Sequence, residues 1–214
     1  MKRGMNLKKK HIIFDMDGTL SDTARATLAA IQAVEKKYDL PTITIDNIRS
    51  AMGLAGMEFF GHIYPEVPAE KLAPAGDEID ALESEKIAEI GEKILFSGVA
   101  EMLESLKKDG YILYIASTGS EHHVEVTLQS SGIKKYFTGI SCGKPEKISM
   151  VREIINDRNP SEFLMVGDMF KDSEAARGNN IRALGAAFGY LAKDDYGLFD
   201  AIIDKPMDVY DYLQ

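Results

Sequence analysis

Residues 12–20 read Ile-Ile-Phe-Asp-Met-Asp-Gly-Thr-Leu, a short apolar run that ends in two carboxylates and a glycine. An apolar run of this length, followed by turn residues, predicts a buried β-strand. Alternate residues of a strand share a face, so we expect Asp15 and Asp17 on one side of its carboxyl end. Two carboxylates this close repel one another unless a cation or a shared proton intervenes, and we favour a bound divalent metal ion.

The same pattern of an apolar run, a turn and a segment of helical period recurs along the chain. This alternation is typical of βαβ units and predicts an α/β fold with a doubly wound, Rossmann-like parallel sheet. The later runs are residues 111–116, 139–141, 163–166, 181–186 and 201–203. Apolar stripes at 99–106 and 148–155 predict two helices that cover the sheet.

Between the first run and residue 95 the sequence carries only helical patterns, which predicts an inserted helical lobe. One apolar stripe spans residues 24–38 and another spans residues 79–94. The residues expected to break the chain between these two helices are Pro65, Pro68, Pro74 and Gly76. Asp77 is then expected to cap the second helix.

These patterns divide the chain into a core of residues 1–20 and 94–214 and an inserted α-helical domain of residues 21–93. The insertion follows the first strand. It should therefore lie above the carboxyl ends of the strands, where ligands bind in doubly wound folds.

The composition narrows the class of protein. The chain has 214 residues, of which 45% are hydrophobic and 28% charged, as in ordinary globular proteins. With 25 Lys and Arg against 34 Asp and Glu, its net charge is -9, which disfavours nucleic acid as a partner. We expect no signal peptide and no membrane partner. The lone Cys142 excludes a disulfide framework and a cysteine-rich metal site, so we expect a reducing, cytoplasmic location.

A second acidic motif follows a later apolar run. Residues 163–172 read Phe-Leu-Met-Val-Gly-Asp-Met-Phe-Lys-Asp, so Asp168 ends a predicted strand and Asp172 follows four positions later. The two side chains can converge across one helical turn. A few carboxylates that leave room for water and phosphate suit Mg²⁺.

Two further motifs favour a phosphorylated ligand. The run at 111–116 ends in Ser117-Thr118-Gly119-Ser120, and hydroxyls and amides at a strand-to-helix turn bind phosphate. Residues 143–147 read Gly-Lys-Pro-Glu-Lys, and Lys144 or Lys147 offers a cation that could neutralise a transferring phosphoryl group. His122 and His123 point about 100° apart on a predicted helix and are interpreted as its solvated start rather than as metal ligands.

Together the four motifs resemble those of the haloacid dehalogenase-like hydrolase family, in its phosphatase branch. They occur in that family's order and cover residues 12–176. The resemblance implies that residues 21–93 form a helical cap of the family's first class. It also implies that cap residues choose the substrate, with Arg25, Arg49 and the turn at 53–56 as candidates.

The resemblance also implies roles for the motif residues. Asp15 corresponds to the nucleophile that forms an aspartyl-phosphate, and Asp17 to the general acid and base. Ser117 and Thr118 correspond to the phosphate-binding motif. The third-motif lysine is Lys144, which matches a Lys-Pro form, or Lys147, which stands immediately before the helix. The residues implied as Mg²⁺ ligands are Asp15, Asp17 through its backbone carbonyl, Asp168 and Asp172.

We therefore expect Mg²⁺-dependent hydrolysis of a small phosphomonoester, as in phosphoglycolate phosphatase-like enzymes. A β-phosphoglucomutase-like phosphotransferase is an alternative, since it needs the same catalytic parts. A non-catalytic binding protein on the same fold is an alternative of another class. The expected partner is a small phosphorylated metabolite, and the expected state is a monomer or weak dimer.

Overall fold

Six parallel strands form one sheet in the order β3-β2-β1-β4-β5-β6. The computed structural model describes residues 10–54, 56–144 and 146–213. The strands are β1 His11–Phe14, β2 Ile112–Ser117, β3 Phe137–Cys142, β4 Phe163–Gly167, β5 Arg182–Ala186 and β6 Ala201–Ile203. The strand order reverses at β1, which pairs with β2 on one side and β4 on the other. The predicted doubly wound α/β sheet is confirmed.

Eight α-helices lie along the described chain. They are α1 Ala24–Tyr38, α2 Ile45–Ala51, α3 Met57–Ile63, α4 Ala69–Ile90, α5 Val99–Lys108, α6 Glu121–Ser130, α7 Lys147–Ile155 and α8 Phe170–Gly178. Short 3₁₀ helices span Gly91–Ile94, Lys134–Tyr136, Pro160–Glu162, Lys193–Leu198 and Pro206–Tyr212. None of the helices described is long and apolar enough to cross a membrane.

The alternation of β1 side chains explains why helices cover both faces of the sheet. Ile12 and Phe14 pack into a core with residues of α5 and α6 on one face. Ile13 points the other way and packs with residues of α7 and α8. A strand buried on both faces must be apolar throughout, which accounts for the uninterrupted run before Asp15.

Helices α1–α4, called here the inserted helices, share an apolar core of their own that includes Ile31, Ile48, Phe60 and Ile79. The chain enters and leaves this region through two adjacent segments. The amide of Asp22 donates to the carbonyl of Ile94 at 2.8 Å, and the amide of Phe96 donates to the carbonyl of Leu20 at 3.1 Å.

The prediction that Pro74 and Gly76 break the chain is wrong, and so is the prediction that Asp77 caps a helix. All three residues lie inside α4, which begins after Pro68. Proline and glycine in a helix interior cost about 3 and about 1 kcal/mol. Burial of Leu72, Ala75 and Ile79 from the same helix offsets this cost.

Candidate active site

Neighbouring strands bring three carboxylates to the carboxyl edge of the sheet. Asp15 follows β1 and Asp168 follows β4, and these strands pair with Phe14 opposite Val166. Asp172 joins them from the first turn of α8, where its Oδ2 accepts a hydrogen bond from the amide of Met169 at 3.0 Å. One oxygen of each carboxylate lies within 4.8 Å of the others, and all three residues are buried. We call these three residues the carboxylate cluster.

Lys147 is the cation that faces this cluster. As the first residue of α7 it is buried, and its Nζ lies 2.8 Å from Asp15 Oδ1 and 2.7 Å from Asp172 Oδ1. Lys144 instead pairs with Glu153 at the surface. Of the two lysines that the sequence leaves open, only Lys147 reaches the carboxylate cluster. Pro145, which carries the Lys-Pro pattern, lies outside the described residues.

The carboxylate cluster carries more negative charge than Lys147 can balance. Burial raises the pKa of Asp15 to about 7, and the charge of Asp172 adds to this while Lys147 opposes it. Burial also raises the pKa of Asp168 well above its usual value, and repulsion from Asp15 and Asp172 acts in the same direction. Three ionised carboxylates and one ammonium leave two negative charges, which a divalent cation would neutralise.

The oxygens of Asp168 fit such a cation. Its Oδ1 accepts a hydrogen bond from Thr19 Oγ1 at 2.6 Å, while its buried Oδ2 has no partner among the described residues. Gly18 has a φ of 82°, and a Cβ there would lie 2.4 Å from Asp168 Oδ2. Only glycine allows this approach, and a set of carboxylate oxygens suits Mg²⁺.

Asp17 lies beside the carboxylate cluster but has different partners. Its Oδ1 accepts a hydrogen bond from Thr23 Oγ1 at 2.8 Å and lies 2.9 Å from His123 Nε2. Burial would raise the pKa of Asp17, but the His123 charge and these hydrogen bonds hold that pKa below its usual value. The pKa values of the two neighbouring carboxyls are therefore shifted in opposite directions, with that of Asp17 lowered and that of Asp15 raised.

The interpretation of both histidines as a solvated helix start is wrong for His123. His122 is exposed, whereas His123 is largely buried with its Nδ1 3.3 Å from Glu83 Oε2. Burial would lower the pKa of His123, but Asp17 and Glu83 raise it well above its usual value. Adjacent residues point about 100° apart on a helix and so face different surroundings. The exposure of His122 therefore does not predict the exposure of His123.

The turn after β2 lies next to Asp15 in the same cavity. Ser117 is buried at the end of β2, and its Oγ accepts a hydrogen bond from the amide of Gly119 at 3.1 Å. Ser120 caps α6 by accepting a hydrogen bond from the amide of His123. Ser117 and Thr118 are therefore free of the capping role and line the cavity with their neighbours.

A cavity of about 460 Å³ lies between the sheet edge and the inserted helices. Its core side includes Asp15, Asp17, Ser117, Thr118 and Lys147. Its other side includes Met52, Leu54, Phe59, Phe60, Asp80 and Glu83. A site of this kind holds a charged group on the core side and a partly apolar group on the other.

Two of the candidates for substrate choice lie elsewhere. Arg25 donates to the carbonyl of Lys93 at 3.0 Å, and Arg49 lies 3.6 Å from Asp22 with its guanidinium over the Tyr190 ring. Neither arginine lines the cavity. Gly53 and Gly56 of the third candidate, the turn at 53–56, do line it.

Comparison with known proteins places these residues in a family. A model described as haloacid dehalogenase-like hydrolase matches residues 12–186. An N-acetylmuramic acid 6-phosphate phosphatase from Pseudomonas putida is 24% identical over 220 residues, covering 95% of this chain and 95% of that protein. A phosphoglycolate phosphatase from Agrobacterium fabrum is 28% identical over 190 residues, covering 83% of this chain and 80% of that protein.

Solved structures share the fold. A predicted phosphoglycolate phosphatase from Haemophilus somnus has a TM-score of 0.85 at 22% identity and covers 96% of this chain and 98% of that chain. A β-phosphoglucomutase from Clostridium difficile has a TM-score of 0.74 at 20% identity and covers 96% of this chain and 95% of that chain. At these identities the likeness concerns the fold.

Proposed function

Because the chain belongs to the haloacid dehalogenase-like hydrolase family and is a phosphomonoester hydrolase, we propose that it acts on a small phosphomonoester through an aspartyl-phosphate on Asp15. One observation carries this proposal. Lys147 joins Asp15 to Asp172 within hydrogen-bond distance at the floor of a cavity that also contains Asp17. A nucleophile, a cation and a separately held acid are the groups that this reaction requires.

In the first step a carboxylate oxygen of Asp15 attacks phosphorus, and the bond from phosphorus to the leaving oxygen breaks. Lys147 reduces the repulsion between the carboxylate and the phosphoryl group and stabilises the charge that develops. Ser117 and Thr118 bind phosphoryl oxygens from the end of β2. Asp17 gives its proton to the leaving oxygen, so the product departs as an alcohol.

In the second step Asp17, now ionised, takes a proton from water. That water attacks phosphorus of the aspartyl-phosphate, the bond to the Asp15 oxygen breaks, and inorganic phosphate leaves. Because the pKa of Asp17 is held below its usual value, the ionised form that this step needs is the predominant one, and the first step draws on the protonated minority.

The residues that would hold Mg²⁺ are Asp15, Asp168, Asp172 and the backbone carbonyl of Asp17. The unpartnered Oδ2 of Asp168 supports this assignment. When bound, the ion would neutralise charge on the carboxylates and on the phosphoryl oxygens.

Residues 21–93 act as a cap in this proposal. The cavity lies between them and the carboxyl edge of the sheet, and their two connections to the core are hydrogen-bonded to each other near Asp22 and Ile94. A cap in this position excludes bulk water during phosphoryl transfer.

Hydrolysis is favoured over a mutase reaction by the charge of the cap. A mutase must hold a second phosphate at the far end of its substrate. Over the part that the structure describes, the cap residues of the cavity include Asp80 and Glu83 but no lysine or arginine. His123 balances the charge of Glu83, but the Asp80 carboxylate has no ion-pair partner in the described ranges and repels a second phosphate.

The experiment is phosphate release from a panel of phosphomonoesters, with and without Mg²⁺, by the wild-type chain and by Asp15→Asn. We expect Mg²⁺-dependent release by the wild type and none by the variant. Conversion of glucose 1-phosphate without phosphate release would favour the mutase. Release that persists in Asp15→Asn would contradict the proposed nucleophile.

A further inference from the structure

The His123 ring lies between carboxylates from two parts of the chain. Its Nε2 is 2.9 Å from Asp17 Oδ1 in the core, and its Nδ1 is 3.3 Å from Glu83 Oε2 on helix α4 of the cap. Glu83 also accepts a hydrogen bond from Thr27 of α1. The ring is therefore the contact through which a side chain of helix α4 reaches the Asp17 carboxyl.

The local sequence fixes the ring in this place. Ser120 accepts a hydrogen bond from the amide of His123 at 3.2 Å, which sets the first turn of α6. Gly119 has no side chain, and a Cβ there would lie 3.0 Å from Cδ2 of the ring. The turn after β2 therefore both binds phosphate in the proposed reaction and makes room for the histidine.

We propose that His123 is a positioning residue that holds the Asp17 carboxyl and ties its orientation to the position of the cap through Glu83. This inference depends on the proposed function, because Asp17 receives its role as acid and base there. Thr23 and His123 both contact Oδ1 of Asp17, and Oδ2 has no hydrogen-bond partner within the described ranges. His123 thus leaves one oxygen available to the substrate.

This arrangement couples closure of the cap to proton transfer by Asp17. With α4 in place, Glu83 holds Nδ1 and keeps the ring plane directed at Asp17. If the cap moves away, Nδ1 loses this partner and the ring is free to rotate, so Asp17 is no longer held for proton transfer. A misplaced acid slows the step that needs a proton more than it weakens substrate binding.

The first test compares leaving groups in His123→Ala and the conservative His123→Gln. An alkyl phosphate needs a proton on its leaving oxygen, whereas p-nitrophenyl phosphate does not. We expect His123→Ala to lower kcat on ethyl phosphate at least about tenfold with little change in KM. The pre-steady-state burst of p-nitrophenolate should change less than about threefold. His123→Gln, which keeps a donor for Asp17, should recover most of the lost kcat. Equal losses for both esters, or a change in KM alone, would overturn the inference.

The second test is a double-mutant cycle with Glu83→Gln. If Glu83 acts through the ring, this change lowers kcat on ethyl phosphate in the wild-type background and has no further effect in His123→Ala, which lacks the ring. The matched control is Glu85→Gln, an exposed position on the same helix, which should leave kcat unchanged. The link to the cap would be overturned if the fold-losses in kcat of the two single variants multiply in the double variant. It would also be overturned if Glu83→Gln leaves kcat unchanged. A wild-type chain that hydrolyses neither ester would contradict the proposed function itself, and the inference with it.

Discussion

At the scale of single residues, the site is defined by which charges have partners. Among the described residues, Lys147 is the cation in contact with both Asp15 and Asp172. Removing one member of a buried ion pair leaves an uncompensated charge, which costs about 3 to 5 kcal/mol. Lys144 carries the same charge at the surface, where an ion pair contributes about 0 to 1 kcal/mol.

The two lysines therefore give a matched pair of variants. We expect Lys147→Met to lower phosphate release at least about a hundredfold, because the attacking carboxylate and the phosphoryl group then repel one another. In metal-free buffer it should also lower the free energy of unfolding by about 3 kcal/mol. Lys144→Met should change stability by less than about 0.5 kcal/mol and leave kcat intact. Urea titration and a phosphate assay check both, and an inactive Lys144→Met would contradict the assignment.

A residue far from the site gives a pH prediction. His11 is buried at the start of β1, with its ring stacked on Phe163 at 4.4 Å between centroids. Burial lowers the pKa of His11 below 6.5, and the charge of Arg158 adds to this effect. The unfolded chain then binds a proton more readily than the folded chain, so this contribution to stability is lost as pH falls below the unfolded value.

We therefore expect the wild-type chain to lose more stability than His11→Phe between about pH 7 and about pH 5. The phenylalanine keeps the aromatic contact with Phe163 and removes the titrating group. Urea titrations of both proteins across this range measure the difference. Parallel pH profiles would show that His11 titrates equally in the folded and unfolded chains.

At the scale of elements, helix α4 shows how packing overrides local propensity. Its sequence contains Pro74 and Gly76, and the helix nevertheless continues from Ala69 to Ile90. A Cβ at Gly76 would lie 2.8 Å from the Phe60 ring, so the missing side chain lets α4 approach α3. Glycine is required here by the contact and not by the backbone conformation.

This contact predicts opposite effects for two glycine substitutions. Gly76→Ala should destabilise the protein by about 1 to 3 kcal/mol, because the methyl group overpacks against Phe60. Gly61→Ala on α3 has open space around its Cβ and should stabilise the protein by up to about 1 kcal/mol through helix propensity. Thermal or urea unfolding measures both changes. Stabilisation by Gly76→Ala would show that Phe60 can move aside.

The strands and helices differ in how far sequence predicts them. The strand ends at Asp15, Ser117 and Asp168 are predicted correctly, because each is a local apolar run followed by a polar turn. The continuation of α4 through Gly76 is not predicted correctly, because it depends on packing against Phe60 of helix α3. His123 is misread for the same reason, since its partner Glu83 comes from a distant segment of the chain.

At the scale of the whole molecule, the inserted helices close a cavity over the sheet edge and give its outer half a negative charge. Asp80 of α4 lines this cavity and has no ion-pair partner in the part of the chain that the structure describes. Glu83 lines it as well, although His123 balances its charge. A leaving group that carries a carboxylate would therefore be repelled.

The Asp80 carboxylate should make the enzyme select against substrates whose leaving group is negatively charged. We expect the wild-type chain to hydrolyse 2-hydroxyethyl phosphate with a higher kcat/KM than phosphoglycolate, which has a similar size. Asp80→Asn should reduce the ratio of kcat/KM for 2-hydroxyethyl phosphate to kcat/KM for phosphoglycolate by about fivefold. This corresponds to ~1 kcal/mol for a partly exposed charge. Glu85→Gln, which does not line the cavity, serves as the control. A wild-type preference for phosphoglycolate that Asp80→Asn leaves unchanged would contradict this account.

Trapping the phosphoryl group on the protein tests the central claim most directly. Asp17→Asn is mixed with p-nitrophenyl phosphate carrying a labelled phosphoryl group and Mg²⁺, and is then quenched in acid. Because this ester leaves without a proton while hydrolysis of the intermediate needs a base, the label should accumulate on the peptide containing Asp15. Asp15→Asn should carry no label. Label on another residue, or p-nitrophenolate release by Asp15→Asn at the wild-type rate, would contradict the claim that Asp15 is the nucleophile.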